Sequence, residues 1–282
     1  MNGADAGREG GPAGAPATTL DAVRCLIMGV LNVTPDSFSD GGRYLDPDDA
    51  VAHGLRLVAE GADVVDVGGE STRPGAEAVD PEVERARVVP VVAALAPHVR
   101  VSIDTRKATV AEAAIEAGAT LVNDVSATLW PVAAAGRVGW VAMHMRGTPQ
   151  TMQDRPQYDD VVSEVRGFLA ARAAEAHAGG VAEVWVDPGI GFGKTAAHNL
   201  ALLHALPTLV AGGEPVVVGT SRKSFLGALT GGAPVGDRLE ASLATAVWAM
   251  ARGAGMVRVH DVAATVQAAR LVGDDVDLEE AS

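Results

Sequence analysis

From residue 25 onward, short apolar runs alternate with longer stretches in which apolar positions return every three or four residues. Eight runs stand out: 25–31, 64–67, 99–103, 120–122, 140–143, 184–186, 215–218 and 256–259. Rich in Val, Ile and Leu and bounded by turn residues, they read as buried strands. The stretches 48–60, 81–96, 107–117, 159–178, 196–211, 238–253 and 261–272 read as helices with one apolar side. Strict alternation over this many units predicts parallel strands joined by right-handed crossovers, and eight units favour a closed barrel over an open sheet. The expected fold is therefore a single-domain (β/α)8 TIM barrel spanning residues 20–275. The fourth unit is the least regular, because only a short helix containing Pro131 fits between Ser126 and Val138.

The two ends of the expected strands differ. At their N-terminal ends lie Gly61-Ala62, Gly118-Ala119, Gly179-Gly180, Gly212-Gly213 and Gly253-Ala254-Gly255, which read as helix C-caps. At their C-terminal ends lie Asn32, Asp66 to Gly75, Asp104-Thr105-Arg106-Lys107, Asn123-Asp124, His144-Met145-Arg146, Asp187 to Lys194, Ser221-Arg222-Lys223-Ser224 and Arg258-Val259-His260-Asp261. Polar chemistry is thus concentrated on one rim. In this architecture that rim carries the active site.

Composition narrows the partners. Aromatic residues are 4% of the chain, so Ala, Val, Leu and Ile must build the core, a palette suited to strands buried on both faces. The net charge of −14 argues against a nucleic-acid or anionic-membrane binder, so an anionic substrate needs a local basic cluster. There are only three lysines, Lys107, Lys194 and Lys223, among 22 basic residues. The single cysteine, Cys25, excludes an internal disulfide and fits a cytoplasmic protein. It reads as a small buried hydrophobe. No run reaches the roughly 18 apolar residues of a membrane span. Residues 1–19 read as a disordered tail, not a signal peptide, and 276–282 as a C-terminal tail.

On the rim, Asp104, Asn123 and Asp187 end three strands. Two carboxylates and an amide could together read the edge of a flat, nitrogen-rich heterocycle, although each acid could also cap a helix. Lys223, Arg258 and His260 belong to strands seven and eight, where barrels commonly bind phosphate, unless acids such as Asp261 neutralise them. Lys223 is expected at a helix start, where backbone N–H groups add to an anion site. His144 remains ambiguous. The Gly-rich segments 36–46 and 68–76 are long for βα loops and could close over a substrate. Gly189-Ile-Gly191-Phe-Gly193-Lys194 lacks the spacing of a nucleotide-binding P-loop.

Six longer motifs carry a family resemblance: Gly29 to Gly42 (GVLNVTPDSFSDGG), Asp66 to Gly75 (DVGGESTRPG), Ser102 to Thr105 (SIDT), Asp187 to Lys194 (DPGIGFGK), Ser221 to Gly227 (SRKSFLG) and Arg258 to His260 (RVH). In these the chain resembles the dihydropteroate synthases, the pterin-binding TIM barrels that sulfonamides inhibit, over residues 25–272. The resemblance implies a transferase of folate biosynthesis. It would join 6-hydroxymethyl-7,8-dihydropterin diphosphate to 4-aminobenzoate, release diphosphate and use Mg2+. It implies pterin contacts at Asp104, Asn123, Asp187 and Lys223. Diphosphate contacts would fall at Asn32, Thr72, Arg258 and His260, with Asn32 also near the metal. The 4-aminobenzoate side would comprise Phe38, Arg73, Pro74, Phe192 and Ser224. The catalytic group would be Asp104, Lys223, Arg258 and His260, and the assembly a homodimer. Two features depart from the family pattern: segment 127–139 is short, and Ala127 stands where Gly is often found. A methyltetrahydrofolate-dependent methyltransferase barrel would not need the Ser-Arg-Lys segment with Arg258 and His260. A non-enzymatic binding paralogue would not need an intact rim.

Overall fold

The computed structural model describes residues 24–34, 47–71, 76, 78–148, 150–152 and 154–272. Both expected tails, the segment 36–46 with Phe38, and Thr72, Arg73 and Pro74 lie outside the described residues.

Eight parallel strands follow one another around a barrel: β1 (Leu26–Asn32), β2 (Val64–Gly68), β3 (Arg100–Asp104), β4 (Leu121–Asp124), β5 (Gly139–Met143), β6 (Val184–Asp187), β7 (Val217–Val218) and β8 (Met256–Val259). The hydrogen-bonded order runs β6-β5-β4-β3-β2-β1-β8-β7. A parallel bridge between Val186 and Val216 joins the two ends and closes the cylinder. The helices are α1 (Pro47–Ala59), α2 (Pro81–Leu95), α3 (Ala108–Glu116), α4 (Trp130–Gly136), α5 (Val161–Ala178), α6 (Ala196–His204), α7 (Leu206–Val210), α8 (Ser224–Leu229), α9 (Leu239–Met250) and α10 (Val262–Val272).

The caps explain the element boundaries. Asp80 starts α2 by accepting from the Glu82 N–H at 2.9 Å, with Pro81 in the first turn where its missing N–H costs nothing. Asp160 accepts from the N–H groups of Val162 and Ser163 to start α5. Gly118 ends α3 with φ +114°, a conformation that side-chain-bearing residues resist. Pro131 lies in the first turn of the short α4.

One helical expectation needs correcting. The stretch 196–211 is two helices, α6 and α7, because Pro207 cannot donate a hydrogen bond and is tolerated only in the first turn of a new helix. The short α8 is an addition to the helices expected from the apolar rhythm.

Two apolar cores follow from the two faces of each strand. The larger lies between strands and helices and includes Ile27, Leu31, Val65, Val67, Ile103, Val122, Trp140, Val186 and Val257. The smaller consists of Met28, Val64, Leu121, Val141, Trp185, Val217 and Met256, with Leu26 packed against it. It plugs the barrel lumen. Side chains on a strand return to the same face every second residue. The residues two places beyond the plug are therefore forced to face the lumen at the C-terminal rim. From Val64, Leu121, Trp185 and Met256 this step arrives at Asp66, Asn123, Asp187 and Arg258.

Candidate functional site

The register aligns the rim. Asn32 pairs with Gly68, Gly68 with Asp104, and Asp104 with Asn123, so three of the expected site residues stand in one row across four strands. Asp187 ends β6 opposite Met143. Asp104, Asn123 and Asp187 are all buried, over an apolar floor.

The charges in this cup are linked. Arg258 donates from Nε to Asp66 Oδ2 at 2.6 Å and from Nη2 to Asp104 Oδ2 at 2.8 Å. Asn123 donates from Nδ2 to the same Asp66 oxygen at 3.0 Å. Asp104 Oδ1 and Asp66 Oδ1 are buried without a hydrogen-bond partner among the described residues. Burial raises the Asp104 carboxyl to about 7, opposed by Arg258 and reinforced by the Asp66 charge. Burial also raises Asp187, against the pull of Lys223. For Arg258, burial works against the charge, but Asp66 and Asp104 outweigh it and hold the guanidinium above its ordinary pKa. Asp261 is not the acid that neutralises Arg258. It pairs instead with Arg222, whose Nε lies 3.1 Å from Asp261 Oδ2.

The loop after β6 supplies the next wall. Gly189 and Gly193 adopt φ of +67° and +61°, and a Cβ on Gly189 would lie 1.8 Å from the His144 carbonyl oxygen. Glycine is required there both for φ and for space. The resulting curl turns carbonyls inward onto Lys194. Its ammonium donates to Gly189 O (2.9 Å), Phe192 O (3.0 Å) and His144 O (3.2 Å), with His144 Nδ1 at 3.0 Å. Burial lowers Lys194 to about 7 and the His144 imidazole to about 3, so His144 is neutral beside Lys194. This settles the ambiguity of His144: it helps cage a buried lysine.

Lys223 is the N-cap residue of α8, donates to the Ile190 carbonyl oxygen, and places Nζ 4.6 Å from the centre of the Phe192 ring. Burial lowers it to about 8, resisted by Asp187. Ser224 is exposed at the first position of α8. Just beyond β8, the His260 backbone N–H lies 3.2 Å from Ser221 Oγ, and its Nδ1 lies 3.0 Å from the same hydroxyl. Asn32 is half-buried at the end of β1. Cys25 packs against the outer core, and burial pushes its thiol up to about 12, which removes it as a nucleophile.

The structure thus brings Asp104, Asn123 and Arg258 into one network and Lys223 against Phe192, with Asp187 coupled electrostatically to Lys223 and Arg258. Sequence reasoning assigned no role to Asp66, although an acid inside the run Val64-Val65-Asp66-Val67 was a visible anomaly. It also passed over Glu70. That carboxylate accepts from Arg106 Nε (2.9 Å), Lys107 Nζ (2.6 Å) and the Val79 N–H (2.7 Å), tying the end of β3 to both sides of the loop after β2. Lys107 also pairs with Glu84, which accepts from Thr105 Oγ1 at 2.7 Å.

Residues 28–260 match the family model described as "Pterin binding enzyme". The dihydropteroate synthase of Mycobacterium leprae is 53% identical over 261 residues, covering 88% of this chain and 92% of its own. A Xanthomonas albilineans dihydropteroate synthase solved with 4-aminobenzoic acid superposes with a TM-score of 0.83 at 48% identity, covering 88% of this chain and 92% of that one. The same species' enzyme in complex with 7,8-dihydropteroate gives 0.80 at 45% identity, covering 90% and 93%.

Proposed function

The chain belongs to the pterin-binding enzymes, with dihydropteroate synthases as its relatives, and from that premise we propose how its own residues carry out dihydropteroate synthesis. The enzyme condenses 6-hydroxymethyl-7,8-dihydropterin diphosphate with 4-aminobenzoate to give 7,8-dihydropteroate and diphosphate. The observation that carries the reading is the row of Asp104 and Asn123 with Asp187 across the lumen, buried over an apolar floor and beside Arg258 and Lys223. Such a cup offers acceptors and an amide to a pterin edge and cations to its diphosphate.

In the reaction, the bond from the pterin methylene carbon to the diphosphate oxygen breaks and the electron pair leaves with diphosphate. A bond to the arylamine nitrogen forms, and that nitrogen loses a proton. The pterin becomes more positive as the leaving group departs. Asp104 and Asp187 favour that charge, and Lys223 orients the ring. Arg258 and His260, with Asn32 and Thr72, take up the diphosphate. Phe192, with Phe38, Arg73, Pro74 and Ser224, receives 4-aminobenzoate. Its amine is neutral near pH 7 and requires no strong base, so the reaction needs no nucleophile–base pair.

Among the described residues no group of three or more His, Cys, Asp or Glu could hold a metal. The Asn32 amide oxygen fits an Mg2+ that arrives with diphosphate, because this ion is often bound by one or two protein oxygens plus substrate phosphates. When bound it would neutralise leaving-group charge. We also propose a homodimer, which the resemblance to the dihydropteroate synthases implies. A cytoplasmic location is supported by the single cysteine. Among the described residues no helix is long and apolar enough to cross a membrane.

The test is diphosphate release with both substrates and with each omitted in turn. Release that requires both supports the reading. An equal rate without 4-aminobenzoate, or none with both, rejects it.

A further inference from the structure

Asp66 is fully buried in the middle of β2, on the lumen face, one step below the row that contains Gly68 and Asp104. It has no exposure through which to touch a ligand. It nevertheless carries a carboxylate in a barrel interior, where charge is expensive and an apolar residue would pack at lower cost. Its two partners both belong to the proposed pterin and diphosphate set. One oxygen, Oδ2, receives Asn123 Nδ2 at 3.0 Å and Arg258 Nε at 2.6 Å.

A side-chain amide is nearly symmetric in shape, so the hydrogen-bond partner decides which end points where. A carboxylate can only accept. Asn123 must therefore turn its nitrogen towards Asp66, which leaves its carbonyl oxygen and second N–H for whatever occupies the lumen. Arg258 is gripped at Nε, near the root of the guanidinium, which fixes the plane of the group and leaves its outer nitrogens to choose a partner. Here the outer Nη2 lies on Asp104 Oδ2.

We propose that Asp66 is a positioning residue that sets the donor–acceptor face which Asn123 presents to the pterin. It acts through Asn123 and not by contact. The inference rests on the reading above that Asn123 meets the pterin, and the test separates the two.

The affinity for 6-hydroxymethyl-7,8-dihydropterin diphosphate is measured by calorimetry in the wild type, D66N, N123A and D66N/N123A. An amide in place of the Asp66 carboxylate can offer either an oxygen or a nitrogen, so D66N frees the Asn123 amide to flip. Each single change is expected to weaken binding by about 10- to 30-fold, as for a lost buried hydrogen bond. The double change should be about as weak as the weaker single variant. Independent effects would instead multiply to roughly 100- to 1000-fold. The KM for 4-aminobenzoate in D66N should stay within about threefold of wild type, which a general loss of barrel order would not allow.

The fold should tolerate D66N, because Arg258 keeps Asp104 as a partner. If that variant melts below the assay temperature, the same cycle is run in an R258Q background, which removes the cation along with the carboxylate. Multiplicative effects, or wild-type affinity in D66N, overturn the inference. Wild-type affinity in N123A overturns the pterin assignment of Asn123 and takes the inference down with it.

Discussion

Asp104 costs the folded protein stability, and Asp104→Asn should make that cost visible. Two carboxylates, Asp66 and Asp104, share the single guanidinium of Arg258, and Asp104 Oδ1 has no hydrogen-bond partner among the described residues. Burial is the main reason its carboxyl rises from 3.8 to about 7. The sign follows from which state binds the proton more tightly. Between these values the folded chain holds a proton that the unfolded chain has released. Stability is therefore fully present below the unfolded pKa and is lost as pH rises through about 7. At about 1.4 kcal/mol per pH unit, the rise of roughly three units bounds the loss near 4 kcal/mol. The amide keeps an acceptor for Arg258 but cannot ionise. Since the neighbouring network relaxes, a gain of about 1–3 kcal/mol is expected for D104N at pH 8. That corresponds to a Tm increase of roughly 2–8 °C for a chain of this size. The assay is thermal and urea unfolding of both proteins at pH 4, 6 and 8. The gap should be widest at pH 8 and close towards pH 4, while affinity for the pterin substrate falls at pH 8 despite the higher Tm. A variant less stable than wild type at pH 8, with a gap independent of pH, would show that Asp104 is a fully compensated carboxylate and refute the reasoning.

Lys194→Met should destabilise the protein by about 3–5 kcal/mol, because three carbonyl oxygens and His144 Nδ1 lose their common donor in a buried cage. Urea unfolding measures this, and a loss below about 1 kcal/mol would mean that the loop after β6 holds its shape without the ammonium. Gly189→Ala should cost on the order of 3 kcal/mol or more, since it combines φ +67° with a Cβ 1.8 Å from the His144 oxygen. A soluble variant with wild-type Tm would contradict that geometry. Arg137→Gly should raise stability by about 0.5–1 kcal/mol, because Arg137 is exposed and ends α4 in the left-handed region at φ +56°. Unchanged or lower stability in thermal unfolding would count against backbone strain there.

The barrel was legible because its rules are local. Parallel strands buried on both faces leave polar residues room mainly at their ends, so Asp104, Asn123 and Asp187 declared themselves by following apolar runs. Helix C-termini declared themselves through Gly118 and Gly179. Where a local rule had two outcomes, the sequence did not choose between them. The apolar rhythm of 196–211 continues across Pro207, and proline fits equally well as the start of a second helix. Ala127 was visible as a departure from a frequent glycine, but only the fold shows it at φ +53°, the conformation in which glycine would be natural, with its methyl buried in the outer core.

The electrostatics of the site were less legible, because they depend on closure. Asp66 meets Arg258 across 192 residues and Asp104 meets it across 154. Neither spacing has a signature, since what brings the groups together is the pairing of β8 with β1, of β1 with β2 and, for Asp104, of β2 with β3. The same holds for Lys194. Its motif was readable, yet its role depends on the direction of three carbonyls, two of them in a loop turned by left-handed glycines. Residue identity therefore named the groups on the rim, but their charge states were fixed only when the barrel set two acids against one arginine. A variant series that alters Asp66, Asp104 and Arg258 together will consequently be more informative than changes at any of them alone, because the Asp104 carboxyl responds to both of the others.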